Sequence, residues 1–345
     1  MGSECLELKE NFDIEHQTTD FTLPLTALPK QFITGEIKTK EGRARCNIQY
    51  GALENRGNYG SVSRVKRNPV PSGNPSLCVK QPHDSEFSLC PEALIQWYSV
   101  KTLEAAGIFG AVPHIYDIFQ YASETRFCME YIEGVSAVEY ICMNAQPEQT
   151  WYQVMAQAAL ILGFLEETIR LDHRDLKADN LWIRERPVDY CLRVGGVQWK
   201  LQAPFQVVIL DFGFACLGGR DGNARISLSD GILPTIDPCP KEGRDLFHLV
   251  SSLWSVPPVR ERMSTEFKGE IEELLSYGGT QFASIIHRTL RPRWIYLATS
   301  DPAFHYPPLV PGAILRKLSS VWKGSGSLRI EECQQENRRI HGSLS

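Results

Sequence analysis

Long apolar runs are missing: nowhere in the 345 residues do about eighteen apolar positions follow one another, so no membrane-spanning helix is expected. A basic excess is missing too. Thirty-six Lys and Arg stand against 41 Asp and Glu, a net charge of −5, and this gives no ground for nucleic-acid binding. No basic start leads into an apolar block, so no secretory leader is expected. The ten cysteines form no Cys-x-x-Cys pair, so neither a zinc site nor a redox dyad is indicated. Several cysteines fall within apolar runs, which predicts buried thiols in a reducing, intracellular setting, cytoplasmic or nuclear. Hydrophobic residues make up 43%, enough for a core and too many for wholesale disorder. The length suits one two-lobed unit or two small domains.

What is present is a dense polar run, His173-Arg174-Asp175-Leu176-Lys177-Ala178-Asp179-Asn180, with Asp211-Phe212-Gly213 thirty residues on. Asp175 follows an apolar helix and can orient a hydroxyl and accept its proton. Lys177 can meet a transferring phosphoryl group. Asn180 offers a neutral carbonyl oxygen to a cation. Asp211 closes Val207-Val208-Ile209-Leu210, which reads as a buried strand. A carboxylate at the mouth of such a strand suits a hard cation. Phosphoryl transfer needs these four groups together, because positioning and charge neutralisation carry most of its catalysis.

In these two motifs the chain resembles the eukaryotic-type protein kinase superfamily, over about residues 48–256. The resemblance implies Asp175 as the catalytic base, Lys177 as the γ-phosphate contact, and Asn180 and Asp211 as Mg²⁺ ligands. It implies His173 and Phe212 as packing partners that set the active arrangement. Arg174 resembles the pocket that receives a phosphorylated activation segment in many members. The implied fold is α+β and two-lobed: a small antiparallel β lobe with one main helix, and a mostly helical large lobe.

The nucleotide side has candidates as well. Asn55-Arg56-Gly57-Asn58-Tyr59-Gly60-Ser61-Val62 matches G-x-G-x-x-G-x-V at all but the first glycine. Asn55 is a mild replacement there, because Asn tolerates left-handed backbone angles. Gly57 and Gly60 would let backbone N–H groups approach phosphates, and Val62 would cover adenine. Leu77-Cys78-Val79-Lys80 matches the V-A-I-K strand, with Lys80 on the α/β-phosphates and Cys78 against adenine. Glu92, after Pro91 at a helix start, is the chosen partner of Lys80, with Glu86 as the alternative. Gln96 stands where the family places an apolar residue, and Ile95 is the alternative occupant of that role. The resemblance makes Met129 the guard at the back of the adenine pocket and has the backbones of Glu130 and Ile132 bond adenine. Trp182 stacks beneath the base, crowds the site or faces the core.

Along the chain, residues 1–45 read as an extension that either packs on the small lobe or stays mobile. Residues 46–133 read as the small lobe, 134–322 as the large lobe, and 323–345 as a mobile tail. Thr150 to Arg170 is expected to be a helix, with Thr150 as a possible cap. Tyr190 to Gln202 alternates about Gly195-Gly196, which predicts a lengthened hairpin, either a docking surface or a tolerated insertion. Ser227, Ser229 and Thr235 are candidate phosphorylation points in an activation segment spanning Ala215 to Lys241. Asp245 resembles the carboxylate that anchors the catalytic-loop backbone. The A-P-E motif is absent, as in divergent members such as haspin-like or large-virus kinases. Phe282 to Leu297 suggests a helix interrupted by Pro292. The implied activity is ATP- and Mg²⁺-dependent transfer to Ser or Thr hydroxyls of a protein substrate, with no oligomeric state implied. The alternatives are a small-molecule phosphotransferase of the same fold and a non-catalytic scaffold.

Overall fold

The computed structural model describes residues 36–39, 42–45, 47–56, 60–68, 70–73, 75–83, 89–121, 124–218, 224–228, 238–276, 293–301, 303–321 and 329–332. Gly57, Glu86, Ser229, Thr235 and the 282–292 part of the expected late helix lie outside the described residues.

The fold is α+β. Strands β1 (Glu36–Thr39) and β2 (Gly42–Arg45) form an antiparallel hairpin within the N-terminal extension. Five strands then build an antiparallel sheet: β3 (Asn47–Arg56), β4 (Gly60–Asn68), β5 (Leu77–Pro82), β6 (Ile115–Tyr121) and β7 (Glu124–Glu130). Their order is β3-β4-β5-β7-β6. Burial alternates along much of β4, as a half-buried strand requires. Between β5 and β6 lies α1 (Cys90–Ala105), with Pro91 in its first turn. Every position from Glu92 to Leu103 save Lys101 is buried, so this helix is enclosed on nearly every side rather than striped.

From Val135 the chain turns mostly helical. β8 (Val135–Ser136) leads into α2 (Ala137–Met143), and Ser136 caps it by accepting the N–H of Glu139 at 3.1 Å. The long helix α3 (Pro147–Ile169) starts three residues earlier than expected, because Pro147 is preorganised for the first turn. Thr150 is therefore not its cap; its hydroxyl donates to the Gln146 carbonyl at 3.0 Å. A Cβ on Gly163 would fall 2.5 Å from Val194 and 2.7 Å from Pro311. This glycine thus sets how closely two later elements approach α3.

Short β9 (Leu171–Asp172) and β10 (Leu181–Arg184) flank the 173–180 run. The hairpin of β11 (Val188–Val194) and β12 (Val197–Ala203) forms as expected. Its turn residues Gly195 and Gly196 have φ of 64° and 76°, the mirror-image turn that glycine permits. β13 (Gln206–Ile209) pairs with β10, which also pairs with β8. β14 (Cys216–Gly218) lies between β9 and β15 (Ala224–Ser227). Helices α4 (Arg244–Trp254), α5 (Pro257–Glu261), α6 (Thr265–Leu274), α7 (Arg293–Ser300) and α8 (Pro311–Val321) follow. No helix among the described residues is long and apolar enough to cross a membrane.

Two expectations need correction. The tail is not wholly mobile: β16 (Arg329–Glu332) pairs with β12, with Ile330 opposite Leu201 and buried. β12 otherwise presents an open edge, and Ile330 adds apolar burial to its ladder bonds. Nor are all the cysteines free thiols, because Cys216 and Cys239 form a disulfide across 23 residues. That pairing arises only when folding brings β14 beside the 238–240 turn, so sequence spacing carried no sign of it.

Gly134, between β7 and β8, is a sensitive joint. A Cβ there would sit 2.1 Å from the Ile183 carbonyl oxygen, and backbone cannot yield cheaply. Gly134→Ala is expected to lower stability by about 1–3 kcal/mol, read from thermal denaturation. An unchanged melting temperature would contradict this close approach.

Candidate active site

The 173–180 loop is tied down from several directions. The Asp245 carboxylate accepts the backbone N–H groups of His173 and Arg174, each at 2.8 Å. The Ala178 N–H donates to Ser252 Oγ at 2.8 Å, and the Leu210 N–H donates to the Asn180 carbonyl at 2.8 Å. Asp175 results from this bracing. Its Oδ2 accepts from Lys177 Nζ at 2.9 Å and from Asn180 Nδ2 at 3.2 Å. Its Oδ1 is buried and accepts no hydrogen bond among the described residues. Leaving a buried acceptor unpaired costs about 1–3 kcal/mol, and such exceptions concentrate where chemistry is done. Burial raises the Asp175 carboxyl to about 6, with Lys177 opposing the rise.

Facing this loop is an ion triad drawn from three distant elements. Lys80 on β5 lies 2.5 Å from Glu92 on α1 and 2.8 Å from Asp211 after β13. Glu92 is thus the carboxylate the structure sets against Lys80. Burial works against the charge on Lys80, but Asp211 and Glu92 prevail and raise its pKa. Burial also lifts Glu92 to about 7, against the pull of Lys80. Asp211 is held down to about 2, since Lys80, Lys177 and His173 outweigh its burial. Asp211 has φ 62°, a left-handed conformation that is costly outside glycine and tends to mark functional sites. Phe212 is fully buried, and its ring centroid lies 5.0 Å from that of His173. The His173 imidazole is pushed down to about 4 by burial, so it packs as a neutral ring.

A cavity of about 430 Å³ lies between these groups, within the range of ligand sites. Gly60, Val62, Cys78 and Lys80 form one wall. Met129, Glu130 and Ile132 form the inner edge, with Trp182, Asn180 and Asp211 opposite. Trp182 is half-buried on β10 and faces this space. Burial pushes the Cys78 thiol up to about 12, so it is a packing group. The Ile132 N–H has no hydrogen-bond partner among the described residues, as a ligand-facing donor should. The Glu130 N–H already donates to the His114 carbonyl. Asn55 sits on β3 opposite Val62. Asp175 and Lys177 stand beside the cavity, joined to it through Asn180.

Sequence reasoning missed some of the lining. Gln96, expected to disturb an apolar position, is buried and donates to the Pro113 carbonyl at 2.8 Å. Glu54 and Tyr131 close the outer edge, where the Tyr131 hydroxyl donates to Glu54 at 3.2 Å beneath the Arg64 guanidinium. Asp179 lay within the motif itself and was the one legible omission. The Arg174 side chain is buried, with its Nε 3.6 Å from Asp172, and most of the activation segment it was expected to meet lies outside the described residues.

The donor set fits a hard cation. Asn180 spends its Nδ2 on the Asp175 carbonyl and carboxylate, which leaves Oδ1 as its remaining acceptor. Asp211 is anionic and 43% exposed. The triad holds two carboxylates and one ammonium, an imbalance that a cation at Asp211 would correct. Comparison with protein-family models and with curated proteins returns no match.

Proposed function

We propose that the chain is an ATP- and Mg²⁺-dependent protein kinase of the eukaryotic type, acting on Ser or Thr hydroxyls inside the cell. The observation that carries this reading is the pair of charged clusters around one cavity. Asp175, joined to it through Asn180, keeps an unpaired buried oxygen, and Lys80, Glu92 and Asp211 meet on its wall from positions up to 131 residues apart. A scaffold has no use for a charged triad on the wall of a cavity with an unsatisfied carboxylate beside it.

In this reading Asp175 Oδ1 accepts the proton of the incoming hydroxyl, while Oδ2 stays fixed by Lys177 and Asn180. Lys177 faces the transferring group, and Lys80, aligned by Glu92, holds the α/β-phosphates. Ile132 offers its N–H to the base, and Trp182 lies under it. Asn180 and Asp211 would hold Mg²⁺, which when bound would neutralise phosphate charge.

The test is labelled-phosphate transfer from Mg²⁺-ATP to generic protein substrates, run beside Asp175→Asn. Phosphoserine or phosphothreonine that vanishes in the variant supports the reading. Label on a metabolite instead points to a small-molecule phosphotransferase, and nucleotide binding without any transfer points to a scaffold.

The acidity of Asp175 gives a second check. The base must be ionised, and burial raises its pKa to about 6. Activity should therefore be lost as pH falls through about 6 and be full above about 7. A kcat/KM profile flat down to pH 5 would remove Asp175 from the role of base.

A further inference from the structure

The stretch from Glu130 to Gly134 leads from β7 to β8 along the inner edge of the cavity, and it is fastened to β10 at both ends. At one end the Glu130 Oε1 accepts from Arg184 Nη2 at 2.6 Å. The Glu130 N–H donates to the His114 carbonyl at 2.8 Å, and the Tyr131 N–H donates to the Ser76 carbonyl at 2.8 Å. At the other end a Cβ on Gly134 would fall 2.1 Å from the Ile183 carbonyl oxygen, so the two backbones touch. Ile132, whose N–H has no partner among the described residues, stands midway between these anchors.

β10 supplies the opposite wall. Leu181 and Ile183 are buried, whereas Trp182 and Arg184 are half-buried, so the latter two project from one face of the strand. Trp182 lines the cavity, and Arg184 lies outside its lining and reaches the Glu130 carboxylate. The strand is paired on both sides, with β13 and with β8, which makes it a fixed reference. The guanidinium is confined as well, since a Cβ on Gly110 would lie 2.9 Å from Arg184 Nη1. One short strand therefore carries both the ring that faces the cavity and the cation that grips the stretch across from it.

We infer that Arg184 is a positioning residue for the base: through Glu130 it fixes where the Ile132 N–H stands relative to Trp182, and so sets affinity for the nucleobase without touching it. The inference deepens the kinase reading and rests on it for the identity of the ligand. A single N–H adds affinity only when it is held in place before the ligand arrives. Without Arg184, Glu130 loses its tie to β10 and only the Gly134 contact still joins the stretch to that strand. The phosphate end is held by Lys80 and Asp211, which meet each other and Glu92 rather than Arg184, so it is unaffected.

The experiment titrates the full chain with ATP, adenosine and inorganic tripolyphosphate, each with Mg²⁺, beside Arg184→Met, Arg184→Lys and Glu130→Met. The ion pair is neither open nor sealed, at 18% and 21% exposed, so its loss falls between that of a surface pair and that of a buried one. Arg184→Met is expected to raise the dissociation constants of ATP and adenosine about tenfold, which is about 1.4 kcal/mol. Tripolyphosphate, which lacks a base, should bind as to the wild type. The nucleotide KM should rise in step while kcat at saturating ATP stays within about twofold. Arg184→Lys should recover most of the affinity, and Arg184→Met added to Glu130→Met should cost nothing further. Equal weakening of tripolyphosphate, additive effects of the two substitutions, or unchanged ATP affinity overturns the inference. If Arg184→Met does not fold, Glu130→Met is put to the same three ligands with the same expected result. If the wild type binds no nucleotide, the kinase reading fails separately. Hydrogen exchange at the Glu130 and Tyr131 amides then tests Arg184, and unchanged protection in Arg184→Met would end its proposed role.

Discussion

Asp175→Asn is expected to lower kcat by about 10²–10⁴-fold, the usual span for a general base, and to leave nucleotide affinity unchanged. The asymmetry follows from how the two oxygens are used. Oδ2 is engaged by Lys177 and Asn180, so it positions the carboxylate. Oδ1 is the acceptor with no partner, and an amide cannot take a proton there. Asn has nearly the same shape, so the loop held by Asp245 and Ser252 should keep its path. The nucleotide cavity is lined by other residues, so its affinity has no reason to fall. Single-turnover transfer together with equilibrium nucleotide binding checks both halves. Loss of binding equal to the loss of rate would mean that Asp175 is structural.

Lys80→Ala should have the second large effect: transfer abolished and nucleotide binding weakened, with a stability change that depends on pH. Removing one member of a buried charge pair costs about 3–5 kcal/mol when the other stays ionised. Glu92 has an escape, however, because burial already lifts it to about 7. Its folded value lies above its ordinary 4.5, so the folded chain binds the extra proton, and stability falls as pH rises through that window. Without Lys80 the folded value climbs further, and the window extends upward from about 7. Lys80→Ala should therefore match the wild type most closely near pH 5 and fall increasingly below it by pH 8. Thermal melts in the absence of divalent cation, at both pH values, measure this. A difference from the wild type that is constant with pH would mean that Lys80 and Glu92 are not coupled.

The catalytic run was legible because its chemistry is local. Asp175, Lys177 and Asn180 sit within six residues, and backbone geometry brings them together whatever surrounds them. The β11–β12 hairpin was legible for a similar reason, since alternation and a Gly-Gly turn act over a few residues. Thr150 misled because Ser and Thr resemble caps wherever they stand, whereas Pro147 sets the start of α3 through its ring. The 329–332 segment looked like a tail, and only the open edge of β12 makes it a strand.

By itself the sequence determined which charged and polar side chains the 173–180 and 211–213 segments carry, the order in which they occur and the elements that bear them. Those depend on side-chain chemistry and on spacings of a few residues. Tertiary structure alone decided that Asp211 joins Glu92 on Lys80 and that Cys216 joins Cys239. Each of these contacts spans segments whose approach is set by packing of the whole core. Long-range burial, which fixes charge partners and leaves Asp175 Oδ1 without a hydrogen bond, has no signature in local composition.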